Sequence, residues 1–347
     1  MRKNTLFVIP IAFFLLLLGG CKGTEPPISS AAPGPNRISA SELFGDLPAD
    51  SLLTVSLDGE ILWPETAAVY TAAGSSADLT ERLRSLLPER TEKLTALTEA
   101  FPCNAMPYET VEWQLAGISR ADYGTGDLSF LPMEDAAKAM EATLTELGLS
   151  GFRRVKAYAL DAETITANLE KSLRPELEDP DLPEEARAQL NEMLALEYGP
   201  EDECYFFVWQ LTRDELPLLT ATATQTQREV SGAEIYGLYG PDGIIYLHLT
   251  RVPTSLVPQG AAQQVSSPKQ AAETALPRIL ALEKPQQLLS AELCYAYYNT
   301  DTNTLTPTWV FVTSSEKQDY SGETVTVYNY FAVNALTGEA VIYDMRP

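Results

Sequence analysis

Four kinds of residue in this chain could do chemistry: one histidine, four cysteines, a large excess of carboxylates and two pairs of tyrosines. His248 lies in Ile244-Ile245-Tyr246-Leu247-His248-Leu249-Thr250, where alternation predicts a strand with His248 and Tyr246 on one face. A general base or a metal ligand needs partners, and there is no second histidine and no G-x-S-x-G nucleophile turn. His248 therefore reads as structural. Carboxylates cluster at Glu176-Leu177-Glu178-Asp179-Pro180-Asp181, at Glu184-Glu185, at Glu201-Asp202-Glu203 and around Asp301 and Asn303. None follows the spacing of a calcium loop with its central glycine, so solvated charge is the expectation. Glycine-rich phosphate loops and dinucleotide fingerprints are absent as well. No catalytic residue, metal or cofactor is expected. Tyr295 and Tyr297 share one predicted strand face, as do Tyr328 and Tyr330, and these four form the candidate binding surface.

The cysteines divide by position. Cys103, Cys204 and Cys294 show neither C-x-x-C nor zinc-ribbon spacing. Cys204 and Cys294 read as buried thiols, with a disulfide between them left open. Cys21 is different. Met1-Arg2-Lys3-Asn4 is a basic start, Thr5 to Leu18 is apolar, and Leu17-Leu18-Gly19-Gly20-Cys21 closes the segment. That order is a secretory signal. The 14 apolar residues would span ~21 Å as a helix, short of a bilayer core of roughly 30 Å. The run into Cys21 resembles the lipobox of bacterial lipoproteins. That resemblance implies diacylglycerol on the Cys21 thiol, cleavage before it, palmitate-type acylation and anchoring at the extracytoplasmic face of the cell membrane.

Composition bounds the partners. The chain has 347 residues, with 24 Lys+Arg against 48 Asp+Glu. Loss of Arg2 and Lys3 with the leader would take the net charge from −24 to about −26. Such a chain is repelled by nucleic acid and by anionic lipid head groups. Nucleic acid is therefore not an expected partner, and any membrane attachment must come from the lipid.

Elements must position whatever surface exists. Residues 1–20 read as the signal and 21–41, with Pro26, Pro27, Pro33 and Pro35, as a tether. An N-terminal α+β region follows over 42–130. In it Asp58-Gly59 predicts a hairpin between 51–57 and 60–63. Leu79, Leu83, Leu86, Leu87, Leu94 and Leu97 predict a helix over 77–100 interrupted near Pro88, and 110–118 a further strand. Residues 131–258 read as helix 133–147, strand 154–160, an acidic helical insertion over 161–196, aromatic strand 204–209, and a hairpin over 233–252 turning at Pro241-Asp242-Gly243. Residues 259–347 repeat the order. Ser267 caps a helix over 269–282 with Pro268 at its first position, and strands 290–298 and 307–312 follow. A hairpin over 325–343 then turns at Thr337-Gly338-Glu339. Helices followed by antiparallel strands predict an α+β fold with a helix across one sheet face.

The second copy resembles the PepSY superfamily through Ala271-Ala272, Tyr295, Pro307, Trp309 and the closing run Tyr330-Phe331-Ala332-Val333-Asn334-Ala335-Leu336-Thr337-Gly338-Glu339. The tandem arrangement over 133–347 is similar to the extracytoplasmic YycH/YycI-type regulators of Gram-positive bacteria, which are held by a transmembrane helix where this chain has the lipobox-like cysteine. The whole chain resembles clostridial lipoproteins of no known activity. The resemblance implies tandem PepSY-like modules in a non-enzymatic, membrane-anchored protein that binds or regulates a protein or peptide partner at the cell envelope. A solute- or glycan-binding protein is the alternative reading, and a hydrolase with an unrecognised site a third.

Overall fold

The structure is a computed structural model that describes residues 36–45, 47, 50–55, 57–73, 79, 82, 83, 85, 124–219, 230–298, 301–318 and 324–341. Along the chain it runs β1 (Asn36–Ser39), β2 (Leu53–Val55), β3 (Glu60–Trp63), β4 (Thr66–Ala67) and β5 (Tyr70–Ala73). Then come α1 (Met133–Glu146), β6 (Phe152–Leu160), α2 (Ala162–Leu177), α3 (Glu184–Leu194), β7 (Cys204–Arg213), β8 (Leu216–Pro217), β9 (Val230–Ser231), β10 (Glu234–Gly240) and β11 (Gly243–Thr250). The last stretch is β12 (Ser255–Pro258), β13 (Gln263–Gln264), α4 (Pro268–Leu280), β14 (Gln286–Tyr298), β15 (Asp301–Gln318) and β16 (Thr324–Asn334). The fold is α+β, and its two principal sheets are built mainly of antiparallel pairs.

The smaller sheet is ordered β11-β10-β7-β6, with β8 on the end of β7. The larger is ordered β12-β5-β15-β14-β2, with β16 on β15 and β9 on β14. Alternation explains the layers. Tyr205, Phe207 and Trp209 on β7 and Leu293, Tyr295, Trp309 and Phe311 on β14 and β15 point into one shared core. Ala136, Ala137, Met140 and Leu144 of α1 and Ala271, Ala272, Ala275 and Ile279 of α4 join them. Small residues on both helices allow close approach. At Gly237 of β10 a Cβ would lie 2.6 Å from the Tyr246 carbonyl oxygen of β11 and 2.6 Å from the Met140 methyl of α1, so a side chain there would have to displace the neighbouring strand's backbone.

The outer faces differ. Leu160, Cys204, Phe206, Tyr236 and Leu238 form a second cluster under Ile165, Leu169 and Leu173 of α2, with Leu190, Met193 and Leu194 of α3 against it. On the larger sheet Cys294, Ala296, Val310, Val312, Tyr330 and Ala332 form a third, reached by Leu219, Val230 and Val341.

One segment stitches the sheets together. Leu218 N–H donates to Leu211 O at 2.7 Å, Leu219 N–H to Tyr295 O at 2.7 Å, and Ala233 N–H to Leu219 O at 2.9 Å. β9 pairs with Tyr297 and Tyr298 before the chain returns to β10. Gly232 permits the crossing, since a Cβ there would sit 1.4 Å from the Leu219 carbonyl oxygen.

α4 starts as its sequence predicts. Ser267 Oγ accepts from Gln270 N–H at 3.3 Å, and Gln270 Oε1 accepts from Ser267 N–H at 3.0 Å, closing a capping box. Two other expectations are corrected. Asp58-Gly59 closes no hairpin: β2 pairs parallel with β14 and β3 antiparallel with β1. Tertiary burial outweighs the local turn, because Leu53 is buried against β14 in the larger sheet. The stretch read as a tether to residue 41 ends earlier, since β1 begins at Asn36 and Ala40 and Leu43 are buried. β16 pairs along its length with β15, from Thr308–Asn334 to Gln318–Thr324, and then enters the expected turn at Thr337-Gly338-Glu339, where Gly338 N–H donates to Asn334 O at 2.8 Å and Asn334 N–H to Glu339 O at 2.9 Å. Beyond Thr337-Gly338 the described return is the bridge Val333–Ala340 and the Val341 N–H bond to Ala332 O. Cys21, Cys103, the predicted strand 110–118 and most of the predicted helix 77–100 lie outside the described residues.

Candidate interaction surface

The four candidate tyrosines do not form one surface. Tyr295 and Tyr297 are buried in the shared core, at 0% and 2% exposure. The reason is the register: their face of β14 is the one that meets Tyr70 of β5 and the smaller sheet. The Tyr70 ring stands edge-on to Tyr295 at 5.5 Å and its hydroxyl donates to Asp214. Tyr297 Oη donates to Arg251 O at 3.3 Å. Desolvation pushes the Tyr297 phenol up to about 12, with Arg251 opposing. Burial raises Tyr295 further, helped by the negative charge of Asp214. These two are core residues, and the expectation that they present an open face is corrected.

Tyr328 and Tyr330 lie on the opposite face. Tyr330 is buried beside Val312 in the third cluster, and Tyr328 is half-buried at its border. Tyr298 completes this group, its hydroxyl 3.1 Å from Thr308 Oγ1. Cys204 and Cys294 do not pair with each other, being buried in different clusters on different sheets. Burial pushes the Cys294 thiol well up, and the Glu292 carboxylate adds to it. His248 sits half-buried on β11 with its ring stacked on Tyr236, centroids 4.5 Å apart and planes at 15°. Among the described residues no three metal-ligating side chains converge, and no described helix is long and apolar enough to cross a membrane.

Sequence reasoning missed an aromatic row across the outer face of the smaller sheet. Tyr158 stacks on Phe206 at 6.4 Å, Phe206 meets Tyr236 at 6.0 Å, and Tyr236 meets Tyr246 at 6.3 Å. The row spans β6, β7, β10 and β11 in adjacent registers. The acidic pair α2–α3 lies over much of it, held by Arg187, which donates to Leu177 O and, at 2.7 Å, to Asp179 O. None of α3's residues is fully buried. Residues 161–203 carry fourteen acids and three bases, a net charge of −11 out of −24 for the whole chain.

The row ends on β11, the outermost strand of the smaller sheet among the described residues. Its eight residues, Gly243 to Thr250, contain no proline and no charged side chain. The signal was legible in Ile244 to Thr250, but edge position is set by topology and not by local pattern.

No protein-family model matches the chain, and no curated protein matches it. Among solved structures, the crystal structure of an uncharacterized protein from Eubacterium rectale is similar at 13% identity and a TM-score of 0.45, covering 86% of this chain and 92% of that one.

Proposed function

We propose that this chain is a lipid-anchored extracytoplasmic protein that acts by binding or regulating a protein partner at the cell envelope, and not by catalysis. The anchor rests on the run into Cys21. The tandem PepSY-like reading is supported by a repeated order. α1 precedes β6, β7, β10 and β11, as α4 precedes β14, β15 and β16, and each helix packs on the inner face. In both halves the second strand of the series carries a fully buried tryptophan, Trp209 or Trp309. The observation that carries protein binding is that both halves end on strands without charge, β11 and β16.

Two measurements test the proposal. Metabolic labelling with a palmitate analogue should mark the wild type and not Cys21→Ala, and equal label would remove the anchor. Photo-crosslinkers placed at Ile245 and at Tyr328 in native membranes should each be scored by mass spectrometry. Capture of a protein at either site supports the reading, and capture at neither, with turnover of a solute or glycan by the purified chain, overturns it.

A further inference from the structure

We infer that the larger sheet carries an internal water-binding site built by Gln286, Thr313 and Asn329. The site is independent of the protein-binding reading above.

One residue comes from each of three neighbouring strands. Thr313 of β15 lies opposite Asn329 of β16 and opposite Leu288 of β14, which puts Gln286 a diagonal step away on the same face. Gln286 is 3% exposed, Thr313 0% and Asn329 9%. Gln286 Oε1 accepts from Thr313 Oγ1 at 2.7 Å and from Asn329 Nδ2 at 3.2 Å. That occupies both lone pairs of the oxygen, while the buried Nε2 group keeps its two N–H donors with no acceptor among the described residues. Turning the amide over exchanges the problem without solving it. The nitrogen then faces Thr313, and the oxygen is the end left over. A buried polar group of this kind takes its partner from protein or from ordered water.

The surroundings select the ligand. Leu288, Phe311 and Phe331 share this face of the three strands and belong to the core. The three polar side chains are themselves neutral, so a charged ligand would lose its hydration without gaining a counter-charge from them. The smallest neutral ligand that supplies an acceptor oxygen is water. With Gln286 and Thr313 buried, the way in is at Asn329, which keeps some exposure beside half-buried Val327. A water entering there can accept from Gln286 Nε2 and donate to Asn329 Oδ1, as internal waters do when they bridge buried polar groups. Gln286 also donates its backbone N–H to Leu52 O at 2.7 Å, so the hydrated trio stands where β2 joins the sheet.

The test uses the purified full chain carrying nitrogen-labelled glutamine. In a rotating-frame experiment the Gln286 side-chain amide should show a through-space cross-peak to water, opposite in sign to proton exchange. A crystal structure that shows ordered water should place one about 2.7–3.2 Å from Gln286 Nε2 and from Asn329 Oδ1. Gln286→Met assigns the signal by removing it. Asn329→Leu keeps the amide and removes the water's second partner, so it should lose most of the cross-peak, with a cooperative melt showing that the variant is folded. Absence of the through-space peak in the unmodified chain, density for a larger solute in the site, or a Gln286 nitrogen that meets a protein acceptor would each overturn the inference.

Discussion

Trp209 and Trp309 occupy equivalent places in the two sheets and are fastened differently. Both are fully buried on the second strand of their series. Trp209 Nε1 donates to the Glu141 carboxylate on α1 at 3.1 Å, whereas Trp309 Nε1 donates to the Ser266 carbonyl, just ahead of α4, at 3.0 Å. In the smaller sheet a charged side chain thus joins strand to helix, and Glu134 with Arg154 repeats the device about two turns earlier on α1. In the larger sheet backbone does that work, and the helix beside it is fixed by its own capping box. The difference teaches that the first unit leans on side-chain electrostatics while the second leans on main-chain geometry. The first also carries the acidic layer.

The largest effect should come from removing either ring. Trp309→Ala and Trp209→Ala should each cost about 3–5 kcal/mol in denaturant unfolding. Conversion to phenylalanine sharpens the contrast. Trp209→Phe strands a carboxylate that can turn to water, while Trp309→Phe leaves a backbone carbonyl against the core, so the second should lose more. Equal losses would mean that the two anchors are energetically alike.

Next in size is the layer over the smaller sheet. Leu169→Ala should cost about 2–5 kcal/mol, the range for a buried leucine. Amide exchange should rise in β10 and β11 well before β15 and β16 if the units open separately. Simultaneous exchange in both sheets would show that the shared core makes them one cooperative unit.

The smallest effect is alkaline. Desolvation holds Tyr198, beside the acidic layer, and Tyr297, in the larger sheet, up to about 12 against an ordinary phenol at 10.0. A raised folded value means the stabilisation is complete below pH 10 and is lost as pH climbs from 10 through 12. Asp202 adds to the Tyr198 shift and Arg251 opposes the Tyr297 shift. Added salt should therefore lower Tyr198 and raise Tyr297, as read by phenolate absorbance with single Tyr→Phe variants. Movement in one direction for both would break the distinction.

These contrasts follow how far each region was legible in the sequence. Ser267 and Pro268 act within one helical turn, so the start of α4 was visible from its own letters, while Gln270's part in the cap was not read. Strands β7 and β14 announced themselves by aromatic alternation. Which side of β14 would be covered was not visible, because it depends on Tyr70 and Leu218, far away in the chain. The Asp58-Gly59 turn misled for the same reason: two residues can favour a hairpin, but β14 offered Leu53 a deeper burial than β3 did. β11 could be read as a strand without acid or base, whereas its place in the smaller sheet belongs to topology.

The stitch at Leu218 to Ala233 has a consequence for the order in which the chain can assemble. The first helix-and-strand series is interrupted, between β7 and β10, by a detour that hydrogen-bonds to Tyr295, Tyr297 and Tyr298. When synthesis has delivered only residues up to β12, that detour has no strand to lie against. β2 and β5 wait as well, for Gln286 and Leu305, more than two hundred residues downstream. Closing loops of that length before their contacts form slows folding. The native arrangement can lock only once β14 and β15 have arrived, so the segments that precede them must be kept soluble in the meantime.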